Sequence, residues 1–156
     1  MIITKRLFTT AVLVAVIGGT ALAQSGDPLV GTWKLNAAKS KGTTFTSGTT
    51  KVEAKGAGVS FTVDLTGADG TVTRWAFTAN YDGKDSPVTG SSPYGDTVAL
   101  TRVDEKTTRI TVKQAGKPTV TQTIVVSADG KTRTTTTKGT NVKGQPIDAV
   151  SFYEKQ

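Results

Sequence analysis

Apolar side chains recur at every second residue through most of this chain, and turn signals cut the alternation at short intervals. The series Val59, Phe61, Val63, Leu65 is followed by Trp75, Phe77, Ala79, Tyr81, then by Val98 and Leu100, Ile110 and Val112, and Val120, Ile124 and Val126. A repeat of two sends successive side chains to opposite faces of an extended strand, so each segment buries one face and wets the other. Beyond the first 23 residues, nothing reads as a helix.

The breaks are rich in glycine and aspartate. Gly56-Ala57-Gly58, Ala68-Asp69-Gly70, Tyr81-Asp82-Gly83, Asp104-Glu105-Lys106, Ala115-Gly116-Lys117-Pro118, Ala128-Asp129-Gly130 and Lys143-Gly144-Gln145-Pro146 read as hairpin turns. Asp-Gly supplies the positive backbone angles of a two-residue turn, so Asp69-Gly70 and Asp129-Gly130 are the strongest signals among them. Threonine fills much of the opposite strand faces, where a β-branched side chain suits the pleat and its hydroxyl meets water. The run Thr134-Thr135-Thr136-Thr137 is expected to be a strand with one face in solvent.

About eight to ten strands in hairpin order, with no crossover long enough for a helix, must pack as a sandwich or close on themselves. The connections are short meanders rather than Greek-key returns, and closure removes exposed edges. The expected fold is therefore all-β, an up-and-down antiparallel barrel. Gly31-Thr32-Trp33 at the head of the first strand suits such a barrel. The Trp33 indole is expected to plug the closed end while Gly31 admits a neighbouring backbone.

Residues 1–23 have the three-part build of a secretory signal: Lys5 and Arg6, an apolar stretch from Leu7 to Ile17, then Gly18, Gly19 and Ala21-Leu22-Ala23. The apolar core is about half the length a membrane span requires. Cleavage after Ala23 would leave residues 24–156 as one barrel domain without a membrane span, periplasmic or secreted. Cysteine is absent, so the fold must hold by packing and strand pairing alone. The formal net charge is +7, and it falls by two, to +5, without Lys5 and Arg6. These cations are scattered, and no aromatic platform interleaves with them, so nucleic acid is not an expected partner.

Histidine is absent too, which removes the usual general base and, with cysteine, the thiol nucleophile, the proximal haem ligand and the common zinc ligands. Ser86, Ser91 and Ser92 lack a nucleophile-elbow frame and an activating base. The aspartates sit in or beside turns, where they cap their own backbone, and Asp82-Gly83-Lys84-Asp85 lacks calcium-loop spacing. An enzyme is not expected, nor is a metal or other cofactor.

Ligand-contacting residues are the better-defined expectation. Phe61, Trp75, Phe77, Tyr81 and Leu100 share inward faces, and Arg102 shares that of Val98 and Leu100, near a barrel rim. Arg102 is the candidate for pairing with an anionic ligand head, and Gln122, between Val120 and Ile124, is its neutral counterpart. Arg74 and Arg109 fall on outer faces. On the last strand, alternation taken alone puts Val150 and Phe152 inside.

The string Gly31-Thr32-Trp33-Lys34-Leu35 resembles the opening of fatty-acid-binding proteins, within the calycin superfamily that also holds the lipocalins, and Tyr153-Glu154-Lys155 resembles their close. Tyr81-Asp82-Gly83-Lys84-Asp85, Ser127-Ala128-Asp129-Gly130-Lys131-Thr132 and Gly139-Thr140-Asn141 are similar to strings in exported bacterial lipocalin-like proteins. The resemblance implies a small hydrophobic or amphipathic ligand inside the barrel and an inward Tyr153, with Ala149 and Ser151 beside it. Two departures stand out. The interval between Leu35 and the strand near Thr50 is too short for a helical lid, and the family's Arg-x-Tyr is replaced by Ser151-Phe152-Tyr153, which lacks the carboxylate-gripping charge.

Two functions follow as expectations: a monomeric carrier or scavenger of a small molecule, or a non-catalytic envelope barrel filled by its own side chains.

Overall fold

The computed structural model describes residues 26–156, so the expected leader of residues 1–23 lies outside the described residues. Ten strands follow in order: β1 (Gly31–Leu35), β2 (Phe45–Lys55), β3 (Gly58–Gly67), β4 (Val72–Asn80), β5 (Asp82–Gly90), β6 (Thr97–Arg102), β7 (Thr107–Gln114), β8 (Lys117–Val126), β9 (Thr132–Thr140) and β10 (Pro146–Lys155). Each pairs antiparallel with its neighbours in sequence, and β1 closes the barrel on β10 through Trp33↔Lys155, Lys34↔Glu154 and Leu35↔Tyr153. This is the up-and-down barrel that the alternation predicts. Its architecture is compatible with a calycin-like fold. No helical lid is present among the described residues; the β1–β2 connection holds one 3-10 turn, Ala37–Lys39.

The same connection settles which way the last strand faces. Five-residue β1 cannot cover ten-residue β10, and the chain after it continues the pairing. The Asn36 N–H donates to the Phe152 carbonyl at 2.9 Å, and Lys41 and Val150 exchange two N–H···O bonds of 2.8 Å. An otherwise open edge is thereby satisfied. Phe152 lies outside under Lys39, whose ammonium is 5.0 Å from the ring centre, and Tyr153 points inward at 6% exposure. Alternation alone misplaces Phe152 because it does not register this outer cover.

The turns obey the same chemistry in a different distribution. The β7–β8 hairpin is a two-residue turn with both central residues left-handed, Ala115 at φ 48° and Gly116 at φ 76°. Asp69-Gly70 and Asp129-Gly130 instead sit in longer connections. There the glycine supplies the left-handed residue, at φ 81° and 70°, and the aspartate accepts the N–H two residues on, at 2.9 Å for Thr71 and 3.0 Å for Lys131. The β5–β6 connection, residues 91–96, has no Asp-Gly pair; there the Ser92 hydroxyl accepts the Tyr94 N–H at 3.2 Å, and Tyr94 packs against the core.

Antiparallel order places residues 26–30 and the β2–β3, β4–β5, β6–β7 and β8–β9 turns at one end, called lower here. That end is solid. Trp33 is fully buried, and its Nε1 donates to the Leu29 carbonyl at 2.8 Å. Gly31 has φ 144°, and a Cβ there would strike the Lys155 side chain rather than a neighbouring backbone. Leu100, Ile110, Val112 and Val120 complete the packed interior.

Candidate functional site

One narrow cavity runs inside the barrel, and its two walls differ in chemistry. The β3 and β4 wall is apolar, built from Phe61, Val63, Leu65, Trp75 and Phe77, with the Phe61 and Phe77 rings stacked 4.7 Å apart. Facing it, β9 contributes Arg133, Thr135 and Thr137, flanked by Gln122 from β8 and by Ser151 and Tyr153 from β10. These three β9 residues are 3%, 8% and 4% exposed, so the threonine run is a strand with one face toward solvent, as expected, and its other face is turned into the barrel. Its even-numbered threonines lie outside and its odd-numbered ones line the interior.

The hairpin register explains the placement. Val126 pairs with Arg133 and Ile124 with Thr135, and directly paired residues share a face, so inward Val126 and Ile124 carry Arg133 and Thr135 in with them. Arg133 is in turn paired with Tyr153 on β10. Its guanidinium carbon lies 4.4 Å from the centre of the Tyr153 ring and 5.3 Å from that of Trp33, within reach of both π faces.

Among the described residues no carboxylate meets this guanidinium. Arg133 Nε and Nη1 are buried without a hydrogen-bond partner among the described residues, and so is Thr135 Oγ1. Buried polar atoms are nearly always paired, and buried charges especially so, because desolvation of an unpaired ion costs several kcal/mol. Burial pushes the Arg133 guanidinium down to about 10, only partly opposed by Tyr153, and it stays cationic at neutral pH. Burial likewise raises the Tyr153 phenol, with Arg133, Thr50 and Ser151 acting in the other direction. The site thus offers one cation and a set of neutral donors against an apolar wall.

Three rings stand at the upper end of the cavity. Phe45 and Trp75 are 6.4 Å apart, and Trp75 meets Tyr94 edge-on at 6.2 Å. Burial pushes the Tyr94 phenol up to about 12, with the Tyr153 phenol adding to the rise. Beyond the rings, the β3–β4 and β9–β10 connections border an open basin of about 380 Å³, and Phe45 lines both basin and cavity. The cavity holds about 490 Å³ not filled by atoms, its mouth included, of which about 50 Å³ admits the centre of a water molecule.

Of the residues expected from sequence, Phe61, Trp75, Phe77, Gln122 and Tyr153 line this cavity, and Trp33 plugs the end below it. Leu100 is packed in the solid core and does not line it. Tyr81 and Arg102 belong to another cluster at the lower rim. Both bond to Asp27 Oδ2, Tyr81 through its hydroxyl at 2.6 Å and Arg102 through Nη2, and the Arg102 guanidinium lies 3.9 Å from the centre of the Tyr81 ring. Arg102 is at a rim, as alternation indicates, but the anion it grips is the chain's own Asp27. Strand periodicity says nothing of residue 27, which precedes the first strand.

Among the described residues there is no group of three or more histidine, cysteine, aspartate or glutamate side chains placed to hold a metal ion, and no helix long and apolar enough to cross a membrane. The latter says nothing of β-strands. The fold and site define a closed ten-stranded antiparallel barrel with an amphipathic interior cavity. The chain matches no protein-family profile and no curated protein.

Proposed function

We propose that this protein is a calycin-like binding protein, exported by its leader to the periplasm or medium, that carries or scavenges a small amphipathic molecule with an anionic head. One observation carries the reading: Arg133 is buried in the cavity wall with two unpartnered nitrogens beside the unpartnered Thr135 hydroxyl. A carboxylate can accept two parallel hydrogen bonds from a guanidinium, and the facing Phe61, Phe77 and Trp75 supply apolar contact for the remainder of the molecule. The binder is monomeric and non-catalytic in this reading, and it uses no cofactor.

A filled structural barrel is the second reading, and the narrowness of the cavity favours it. Binding to protein stripped of small molecules separates the two. Matched pairs of a carboxylate and the corresponding alcohol are titrated while emission from Trp33 and Trp75 is followed. The carrier reading expects the carboxylate to bind at least tenfold more tightly than the alcohol in wild type, and that preference to vanish in Arg133→Gln. Absence of binding by every pair, with no small molecule retained in native mass spectrometry, favours the filled barrel.

A further inference from the structure

Resting on the anion-binding reading above, we propose that the cavity selects a small monocarboxylate, a short alkanoate or a single-ring aryl carboxylate of about four to nine non-hydrogen atoms, and rejects long-chain fatty acids.

Charge fixes the head group. Arg133 is the one cation lining the cavity among the described residues, and Arg102 is held by Asp27 at the lower rim. A monoanion cancels the buried charge. A dianion such as a phosphate monoester would replace one uncompensated buried charge with another of opposite sign, which a low-dielectric interior penalises as heavily. The other polar side chains around Arg133 are hydroxyls and an amide, which hydrogen-bond a carboxylate without adding charge.

Volume fixes the length. The ≈ 50 Å³ open to water centres holds about four water molecules, at roughly 10–15 Å³ each in this measure. Four waters occupy about 120 Å³ of liquid, the space of a short chain or one ring with its carboxylate. Known drug-sized ligand pockets run from about 300 Å³ upward. Lengthening the ligand is blocked below and hindered above. Below, Trp33 and Leu29 fill the barrel at 0% and 1% exposure. Above, the Phe45, Trp75 and Tyr94 rings narrow the mouth, so a longer chain must pass between aromatic rings to reach the basin.

The test is a homologous series, acetate, butyrate, hexanoate, octanoate and dodecanoate, with benzoate and methyl phosphate, titrated calorimetrically into the purified protein after removal of bound lipid. Affinity is expected to peak at hexanoate or benzoate and to fall at least tenfold by dodecanoate, with methyl phosphate at least tenfold weaker than butyrate. Phe45→Ala, which widens the mouth, should shift the optimum to longer chains. Affinity that climbs steadily to dodecanoate and depends on Arg133 overturns the size selection and leaves the anion-binding reading standing. No binding at any length, or unchanged binding in Arg133→Gln with a native circular dichroism spectrum, overturns both.

Discussion

Arg133 is placed where a protein built only for stability would put a neutral residue. Holding its guanidinium near 10 rather than 12.5 corresponds to a penalty on the charged form of about 3 kcal/mol. The Trp33 and Tyr153 faces offset about a third to all of that, at about 0.5–2 kcal/mol for each cation–π contact. Replacing the charge with an apolar chain of similar reach is therefore expected to be nearly neutral for folding. Arg133→Met should change unfolding free energy by less than about 1 kcal/mol in urea titration while removing carboxylate binding. A loss above about 3 kcal/mol would make the guanidinium a structural strut. The residue was hard to read from sequence for a definite reason: in Arg133-Thr134-Thr135-Thr136-Thr137 both faces carry threonine, so alternation has no contrast to work with. Only the Val126↔Arg133 register across the β8–β9 connection assigns the inside. Ala115 presents a smaller residue-scale conflict, a Cβ-bearing side chain at φ 48° in a turn that prefers asparagine or glycine. Ala115→Asn keeps the N–H that donates to Asp96 Oδ2 and should stabilise by about 0.5–1 kcal/mol, read as a rise in melting temperature of about 2–4 °C.

Among the elements, β2 shows how the sheet is bent to close. Its pairing with β3 shifts between Phe45 and Ser47, and Gly48 follows at φ 131° with the Asp64 carbonyl and Leu65 Cα occupying the space a Cβ would take. A bulge beside a glycine increases local twist, which here brings Phe45 over the cavity mouth. Gly48→Ala should cost about 2 kcal/mol or more in chemical unfolding, since the added methyl meets backbone rather than a yielding side chain. A cost below about 0.5 kcal/mol would show that β2 bends elsewhere. Strand order was legible wherever period two and glycine turns coincide, whereas β5, DGKDSPVTG, has no apolar alternation and is fixed by its pairing with β4 and β6. What sequence left open was the face of β10, where Phe152 and Tyr153 compete as apolar neighbours until the segment at 36–41 is seen to cover one of them.

The whole molecule is a barrel solid below and narrowly open above, and the lower closure rests on a segment outside the sheet. Leu29 seals under Trp33, and Asp27 ties that segment to Tyr81 and Arg102. Burial alone would raise the Asp27 carboxyl, but hydrogen bonds from Arg102, Tyr81 and the Leu29 N–H outweigh it and hold the group below its ordinary 3.8. A carboxyl with a depressed folded value stabilises fully above its unfolded value and loses that contribution as pH falls through the folded one. Stability should therefore drop below about pH 4. Asp27→Asn should cost about 1–2 kcal/mol at pH 7 and a shrinking amount toward pH 3 in paired urea titrations. Equal costs at both pH values would contradict the ionic closure. Asp69, Asp104 and Asp129, lowered chiefly by hydrogen bonds within their own turns, contribute to the acid limb in both proteins and cancel from the difference.

A carrier of this design holds an anion against Arg133 inside the barrel. Isotope-edited NMR of the protein with ¹³C-carboxyl hexanoate reads that contact directly. Saturable shifts of the Arg133 Nε–H, the Tyr153 ring and the Trp75 indole, with transfer between the labelled carboxylate and Arg133, are the result expected. Shifts confined to the Asp27, Tyr81 and Arg102 cluster or to outer lysines, with Arg133 unmoved at saturation, would contradict it.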